Sequence, residues 1–196
     1  MIKNTIKIAL VGQPNVGKSM LINSISNARL KVGNFSGVTV SKEQVFFDYK
    51  NFHIEIVDLP GAYSLNDYTI EEKVTKDFLN NEKYDIILNV LDSTNLQRNL
   101  LLTAELLTLD KKMIIALNMS DEAEKESILI DEIQLSKILG KPCIKTSAAK
   151  KNGITKLLDE ILLKFQSQKV PSKFFFSNVI EEEIENISRV LEENKY

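Results

Sequence analysis

Little in this chain points toward a stapled, metal-rich or fibrous protein. Of 196 residues, one is cysteine, one is histidine, four are proline and none is tryptophan. A single cysteine excludes an intrachain disulfide framework and a Cys-cluster metal site, and suggests a reducing compartment. Cys143 follows Pro142 in a short apolar run and is expected to be a small buried core residue. His53, in a strand-like stretch, is read as structural. Charge of one sign is lacking too: 25 Lys and Arg against 27 Asp and Glu leave a net charge of -2, which gives no electrostatic basis for nucleic-acid binding. No run approaches the ~18 apolar residues that a membrane-spanning helix needs. The opening "MIKNTIKIALVG" is too short and too charged for a signal peptide, so the chain as given is expected to be soluble.

What is present is 43% apolar content, enough for one domain with a substantial core. Short apolar runs at "IKIALVG", "YDIILNVLD", "KMIIALN" and "CIKTS" read as buried strands. Between them lie helical patterns at "GKSMLINSIS" (Met20, Leu21 and Ile25 at helical spacing), "TIEEKVTKDFLN", "NLQRNLLLTAELLTL", "DEIQLSKILG" and "GITKLLDEILLKF". Such alternation predicts an α/β fold, a mostly parallel sheet wrapped by helices. "QVFFDY" and "FHIEIVD", joined at Lys50-Asn51, predict a hairpin that adds one antiparallel edge strand. "KVGNFSGVTVSKE" has little periodicity and reads as an ordered but mobile loop. After "QSQKVPSK", a linker by composition, Ile180, Ile184, Ile187 and Leu191 share one helical face. The expected division is a domain over 1–168, then a linker and the start of a helical module over 169–196.

"GQPNVGKS", Gly12 to Ser19, matches the phosphate-loop pattern G-x-x-x-x-G-K-[ST] between a strand and a helix. Glycines such as Gly12 and Gly17 let successive N–H groups, that of Val16 included, turn toward phosphate oxygens; the helix adds its positive end. Lys18 suits the β- and γ-phosphates and the Ser19 hydroxyl suits Mg²⁺. "DLPGAYS" offers Asp58 toward Mg²⁺ and the Gly61 N–H toward the γ-phosphate; "GVTV" offers Thr39 to complete the Mg²⁺ shell. "ALNMSD" ends a strand with Asn118 and Asp121, an N-x-x-D pair whose carboxylate can accept from guanine's ring N–H and amino group. Adenine would leave that carboxylate unpaired. "KTSAAK" adds Ser147 and Ala148, with a backbone N–H for the guanine carbonyl. The order of these motifs, each at a strand end or in the loop, predicts guanine-nucleotide binding. Where many such proteins carry a water-orienting glutamine, Ala62 stands here, so either the chain is not a nucleotide hydrolase or the catalytic help comes from elsewhere.

"VGNFSGVTVSKE", "DLPGAYSLNDYTIEE", "LDSTNLQRNLLLTAELL" and "ALNMSDEAEK", with Met119 where lysine is common, resemble the N-terminal cytosolic G domain of the ferrous iron transport protein B (FeoB) family. The resemblance runs from about Ile6 to Phe165. It implies a P-loop GTPase (Ras-like) three-layer fold, followed by part of a helical, GDI-like module. It implies slow GTP hydrolysis by the regulatory domain of a bacterial Fe²⁺ transporter, on the cytoplasmic face of the inner membrane. Mg²⁺ is the expected cofactor. K⁺ is a second, because the family's K⁺-coordinating asparagine matches Asn15, making Asn15, Lys18 and Thr39 the catalytic candidates. Implied partners are GTP or GDP and the rest of a transporter chain with its membrane region, with no nucleic acid; an oligomer of copies stays open. Two alternatives stand beside this: a soluble Era or tRNA-modification-type GTPase, and a nucleotide-sensing switch with negligible hydrolysis.

Overall fold

The structure, a computed structural model, describes residues 4–25, 29–35 and 38–167; the expected linker and helical module over 169–196 lie outside the described residues. In chain order the elements are β1 (Asn4–Gly12), α1 (Lys18–Ser24), β2 (Arg29–Asn34), β3 (Ser41–Tyr49), β4 (Phe52–Asp58) and α2 (Ile70–Asn81). There follow β5 (Ile86–Asp92), α3 (Leu96–Leu107), β6 (Met113–Asn118), α4 (Ser120–Lys125), α5 (Glu132–Leu139), β7 (Cys143–Lys145) and α6 (Ile154–Gln166), with a 3₁₀ turn at Ser93–Asn95 leading into α3.

Among the described residues the strands form one sheet in the order β2-β3-β4-β1-β5-β6-β7. β4, β1, β5, β6 and β7 run parallel to one another, while β3 is antiparallel to both of its neighbours, β2 and β4. The hairpin turns at Lys50-Asn51, with Tyr49 opposite Phe52 and Lys50 in the left-handed region at φ 52°.

Here the structure extends the sequence reading. Lys31 to Asn34, expected as loop, belongs to β2, which pairs Asn34 with Ser41 and Val32 with Glu43. Residues 31–34 are all exposed, so no burial pattern marked the strand in the sequence.

A strand sends alternate side chains to opposite faces. β1 thus contributes Ile6, Ile8 and Leu10 to one core and Ala9 and Val11 to the other. β6 divides likewise, with Ile114 and Ala116 against Met113, Ile115 and Leu117. Both faces are covered, which is why these strands read as unbroken apolar runs. α1 and α6 close the first face with Leu21, Ile22, Leu157 and Ile161. α2 and α3 close the second with Val74, Phe78, Leu102 and Leu106. Cys143 is buried in that second core, and burial pushes its thiol up to about 11, an inert group. His53 bonds Asp48 at 2.9 Å and stacks on Phe46, a surface role.

α1 is shorter than the sequence pattern suggested. It ends at Ser24, Ile25 is extended at its C-terminus, and Met20 is 52% exposed.

Candidate nucleotide site

The parallel strands β1, β4, β5 and β6 end on one edge of the sheet, and four loops meet there. β1 delivers Gly12 where no side chain fits: a Cβ would stand 2.6 Å from the Val90 carbonyl oxygen and 2.9 Å from Val16 Cγ2. The chain then passes Asn15 (φ 67°) and Gly17 (φ 85°), both left-handed, before entering α1 at Lys18. A Cβ on Gly17 would collide with Asn118 Nδ2. α1 has neither a side-chain cap nor an acidic residue in its first turn, so its leading N–H groups face the loop without a side-chain acceptor of their own.

Asp58, at the end of β4, is the electrostatic centre of this edge. Its Oδ1 is buried and, among the described residues, has no hydrogen-bond partner. Burial raises its pKa to about 6; Lys18 works against that shift, and Glu43, opposite Asp58 in the β3–β4 register, adds to it. Burial also lowers the Lys18 pKa, with Asp58 countering it. The two groups are each partly withdrawn from water and lie within electrostatic reach of one another. A buried carboxylate oxygen with no donor is a hard ligand of the kind that suits Mg²⁺; Ser19, the neighbouring candidate in the sequence reading, is exposed in the first turn of α1.

The turn after Asp58 is fastened to its surroundings by backbone bonds. Leu59 N–H donates to the Leu10 carbonyl at 3.0 Å, and Ala62 N–H to the Gly12 carbonyl at 3.3 Å. Thr75 Oγ1 of α2 donates to the Pro60 carbonyl at 3.1 Å. Gly61 packs so closely on Pro14 that a Cβ would lie 2.9 Å from its nitrogen. Ala62 is 1% exposed, its methyl enclosed rather than aimed at a ligand.

Asn118 joins the base side to the phosphate side. Its Nδ2 donates to the Val16 carbonyl at 3.0 Å, and its Oδ1 accepts the Ala148 N–H at 3.1 Å and the Thr146 hydroxyl at 3.4 Å. Of the Ser147-Ala148 pair expected to offer a backbone N–H to the guanine carbonyl, the Ala148 N–H is turned to Asn118 and the Ser147 N–H to the Asn152 carbonyl in this structure. Met119 takes the left-handed conformation (φ 58°) that starts α4, and its Cε lies near Gly17. Asp121 is held below the usual carboxylate range first by the Ser147 hydroxyl and then, against a smaller effect of burial, by Lys150.

Thr39 does not join this group. It is exposed and lines a groove of about 550 Å³ with Phe35, Val38, Ile70 and Lys73, on the α2 side. No hydrogen bond among the described residues links it to Ser19 or Asp58. Asn15 is likewise exposed, with no hydrogen bond among the described residues.

Several contributors escaped the motif reading. Gln13 is buried and its Nε2 donates to the Arg98 carbonyl at 2.8 Å; the Arg98 guanidinium lies 4.8 Å from the Tyr63 ring centre. Glu72 accepts from Ser64 N–H (3.1 Å), Ser64 Oγ (3.2 Å) and Tyr68 N–H (3.2 Å), and Glu105 accepts from Leu65 N–H at 2.6 Å. Only Glu72 had a sequence signal, the Thr69-x-x-Glu72 capping box that opens α2.

A parallel sheet with a phosphate loop after β1, an Asp-x-x-Gly turn after β4 and an Asn-x-x-Asp loop after β6 defines a G domain of the P-loop GTPase class. A family profile described as "Ferrous iron transport protein B" matches residues 6–161. The chain is 53% identical over 176 residues to the Fe(2+) transporter FeoB of Campylobacter jejuni, and 58% identical over 180 residues to that of Helicobacter pylori. Those alignments cover 90% and 87% of this chain but 29% and 28% of the relatives, so the chain spans under a third of their length. Among solved structures, the cytosolic domain of the T. maritima FeoB iron transporter in a GDP form superposes with a TM-score of 0.88 at 35% identity, covering 98% of this chain and 77% of that one. The FeoB G domain from Methanococcus jannaschii gives 0.74 at 39% identity, covering 84% and 99%. The chain belongs to the ferrous iron transport protein B family, of which it carries the G domain.

Proposed function

We propose that this chain binds Mg²⁺·GTP and hydrolyses it slowly, as the regulatory domain of a bacterial ferrous iron transporter, on the cytoplasmic face of the inner membrane. The observation that carries this reading is Asp58 Oδ1, buried and, among the described residues, without a hydrogen-bond partner, with Lys18 near enough to act on its charge. Gly12, Asn15, Val16, Gly17, Lys18, Ser19 and Gly61 hold the phosphates. Asn118, Met119, Asp121, Ser147 and Ala148 hold the guanine, with Asp121 supplying the discrimination. Ser19, Asp58 and Thr39 are the Mg²⁺ ligands, directly or through water; Thr39, now on the α2 side, takes that place only after its segment moves. Bound Mg²⁺ would neutralise charge on the β- and γ-phosphates. Residues 1–168 form the G domain and 169–196 begin a helical module that, with the rest of a longer chain and its membrane region, is the expected partner.

The enclosed Ala62 methyl leaves no water-orienting side chain after Gly61. Unaided turnover is accordingly slow, roughly 10⁻⁴ to 10⁻² per second by comparison with GTPases lacking an arginine finger in trans. Asn15, exposed and held in the left-handed region, presents an amide oxygen beside the phosphates for a K⁺ ion. Turnover of Mg²⁺·GTP, measured in K⁺ and in Na⁺ buffers, tests the proposal. Faster turnover in K⁺, lost in Asn15→Ala while nucleotide affinity persists, is the expected result. Equal rates in both cations overturn the K⁺ role, and no measurable turnover in either leaves a nucleotide-sensing switch as the function.

A further inference from the structure

The loop after β7 carries a lysine that the nucleotide motifs do not call for. Ser147 and Asn152 exchange two backbone hydrogen bonds, each 3.0 Å, which close a short loop around residues 148–151. Inside it the Ser147 hydroxyl accepts the Lys150 N–H at 3.2 Å, and Lys151 takes the left-handed conformation at φ 56°. The loop leaves through Gly153 (φ 74°), where a Cβ would collide with the Lys145 carbonyl. The backbone beneath Lys150 is therefore fixed by its own loop. From that base its Nζ lies 3.4 Å from Asp121 Oδ2. The Asp121 side chain is 12% exposed and that of Lys150 52%, so the ammonium stands on the solvent side of a recessed carboxylate.

A carboxylate that reads guanine accepts one hydrogen bond from the ring N–H and one from the amino group. In this structure the Ser147 hydroxyl and the Lys150 ammonium are the groups on Asp121. A neutral base arriving there exchanges a charge-assisted contact for donors that carry no net charge. We propose that Lys150 competes with guanine for Asp121, pairing with the carboxylate when the base is absent, lowering guanine-nucleotide affinity and hastening release. The inference rests on Asp121 being the guanine reader. It adds to that reading a residue which opposes binding from the same loop that supports it. An exposed ion pair is a weak competitor, so the effect is bounded at roughly two- to fivefold.

Binding and stopped-flow dissociation of a fluorescent GDP analogue, with this chain and its Lys150→Ala and Lys150→Arg variants at low and high salt, provide the test. Lys150→Ala is expected to bind about two- to fivefold more tightly at low ionic strength, through slower dissociation, while Lys150→Arg behaves as the parent. The gap should close near 1 M salt, where screening removes the pair. Unchanged affinity in Lys150→Ala overturns the competition, and weaker binding shows instead that the lysine supports the base. A gap that persists at high salt overturns an ionic origin. Should the parent chain fail to prefer GDP over ADP, the assignment of Asp121 falls and the proposal with it, a result distinct from each of the others.

Discussion

Asp58 shows how a candidate binding residue can work against the fold that presents it. Its Oδ1 is buried with no hydrogen-bond partner among the described residues, and burial raises its pKa from 3.8 to about 6. The folded chain holds this proton more tightly than the unfolded chain does. Stability of the nucleotide-free protein therefore falls as pH rises from 3.8 to about 6, and the penalty is complete above that. Asp58→Asn should remove this pH dependence and raise unfolding stability at neutral pH, on the order of 3 kcal/mol at most. The same variant should lose Mg²⁺-dependent nucleotide affinity. Denaturant unfolding across pH and nucleotide titration with and without Mg²⁺ check the two halves. Asn118 is the opposite case, a nucleotide-motif residue that stabilises the fold, with its amide satisfied by the Val16 carbonyl and the Ala148 N–H. Asn118→Ala strands both groups in a buried site and should cost about 2–4 kcal/mol in an unfolding titration without nucleotide.

At the scale of elements, the segment from Ser64 to Tyr68, which follows the Asp58–Gly61 turn, is tied to helices rather than left free. Glu72 of α2 gathers Ser64 and Tyr68, and Glu105 of α3 takes the Leu65 N–H and, at 3.5 Å, the Asn66 amide. A movement of the Asp58–Gly61 turn would reach two helices through these carboxylates. Glu105→Ala should increase amide hydrogen exchange across 62–68 with little change in global stability, since the bonds lost are local. The elements legible in the sequence were those with a buried stripe: α2 lies within the helical pattern read from Thr69, and α3 and α6 follow their apolar spacing. β2 was not legible because its Lys31–Asn34 residues are exposed and no face alternates. α1 was overestimated because Met20 has the right spacing but faces outward.

At the scale of the whole molecule, two cores share one sheet. Leu106 and Ile161 lie on opposite faces at 1% and 0% exposure. Leu106→Ala and Ile161→Ala should each cost about 2–5 kcal/mol. Because they are far apart and share no core, their costs should add in the double variant, as measured by denaturant unfolding.

By itself the sequence determined the strand–helix alternation, the motif order and, through the spacing of glycine, lysine and carboxylate residues, which residue types are brought to the phosphate-loop edge. These are local: a Gly-rich turn, a cap or an apolar period depends on residues a few positions apart. Tertiary structure alone decided which groups already have partners. It turned the Ala148 N–H to Asn118, left Asp58 Oδ1 without a donor among the described residues, held Thr39 on the α2 side and set Lys150 against Asp121. Each of those depends on loops from different strands meeting at one sheet edge. No local pattern encodes the distance between an atom in one loop and an atom in another.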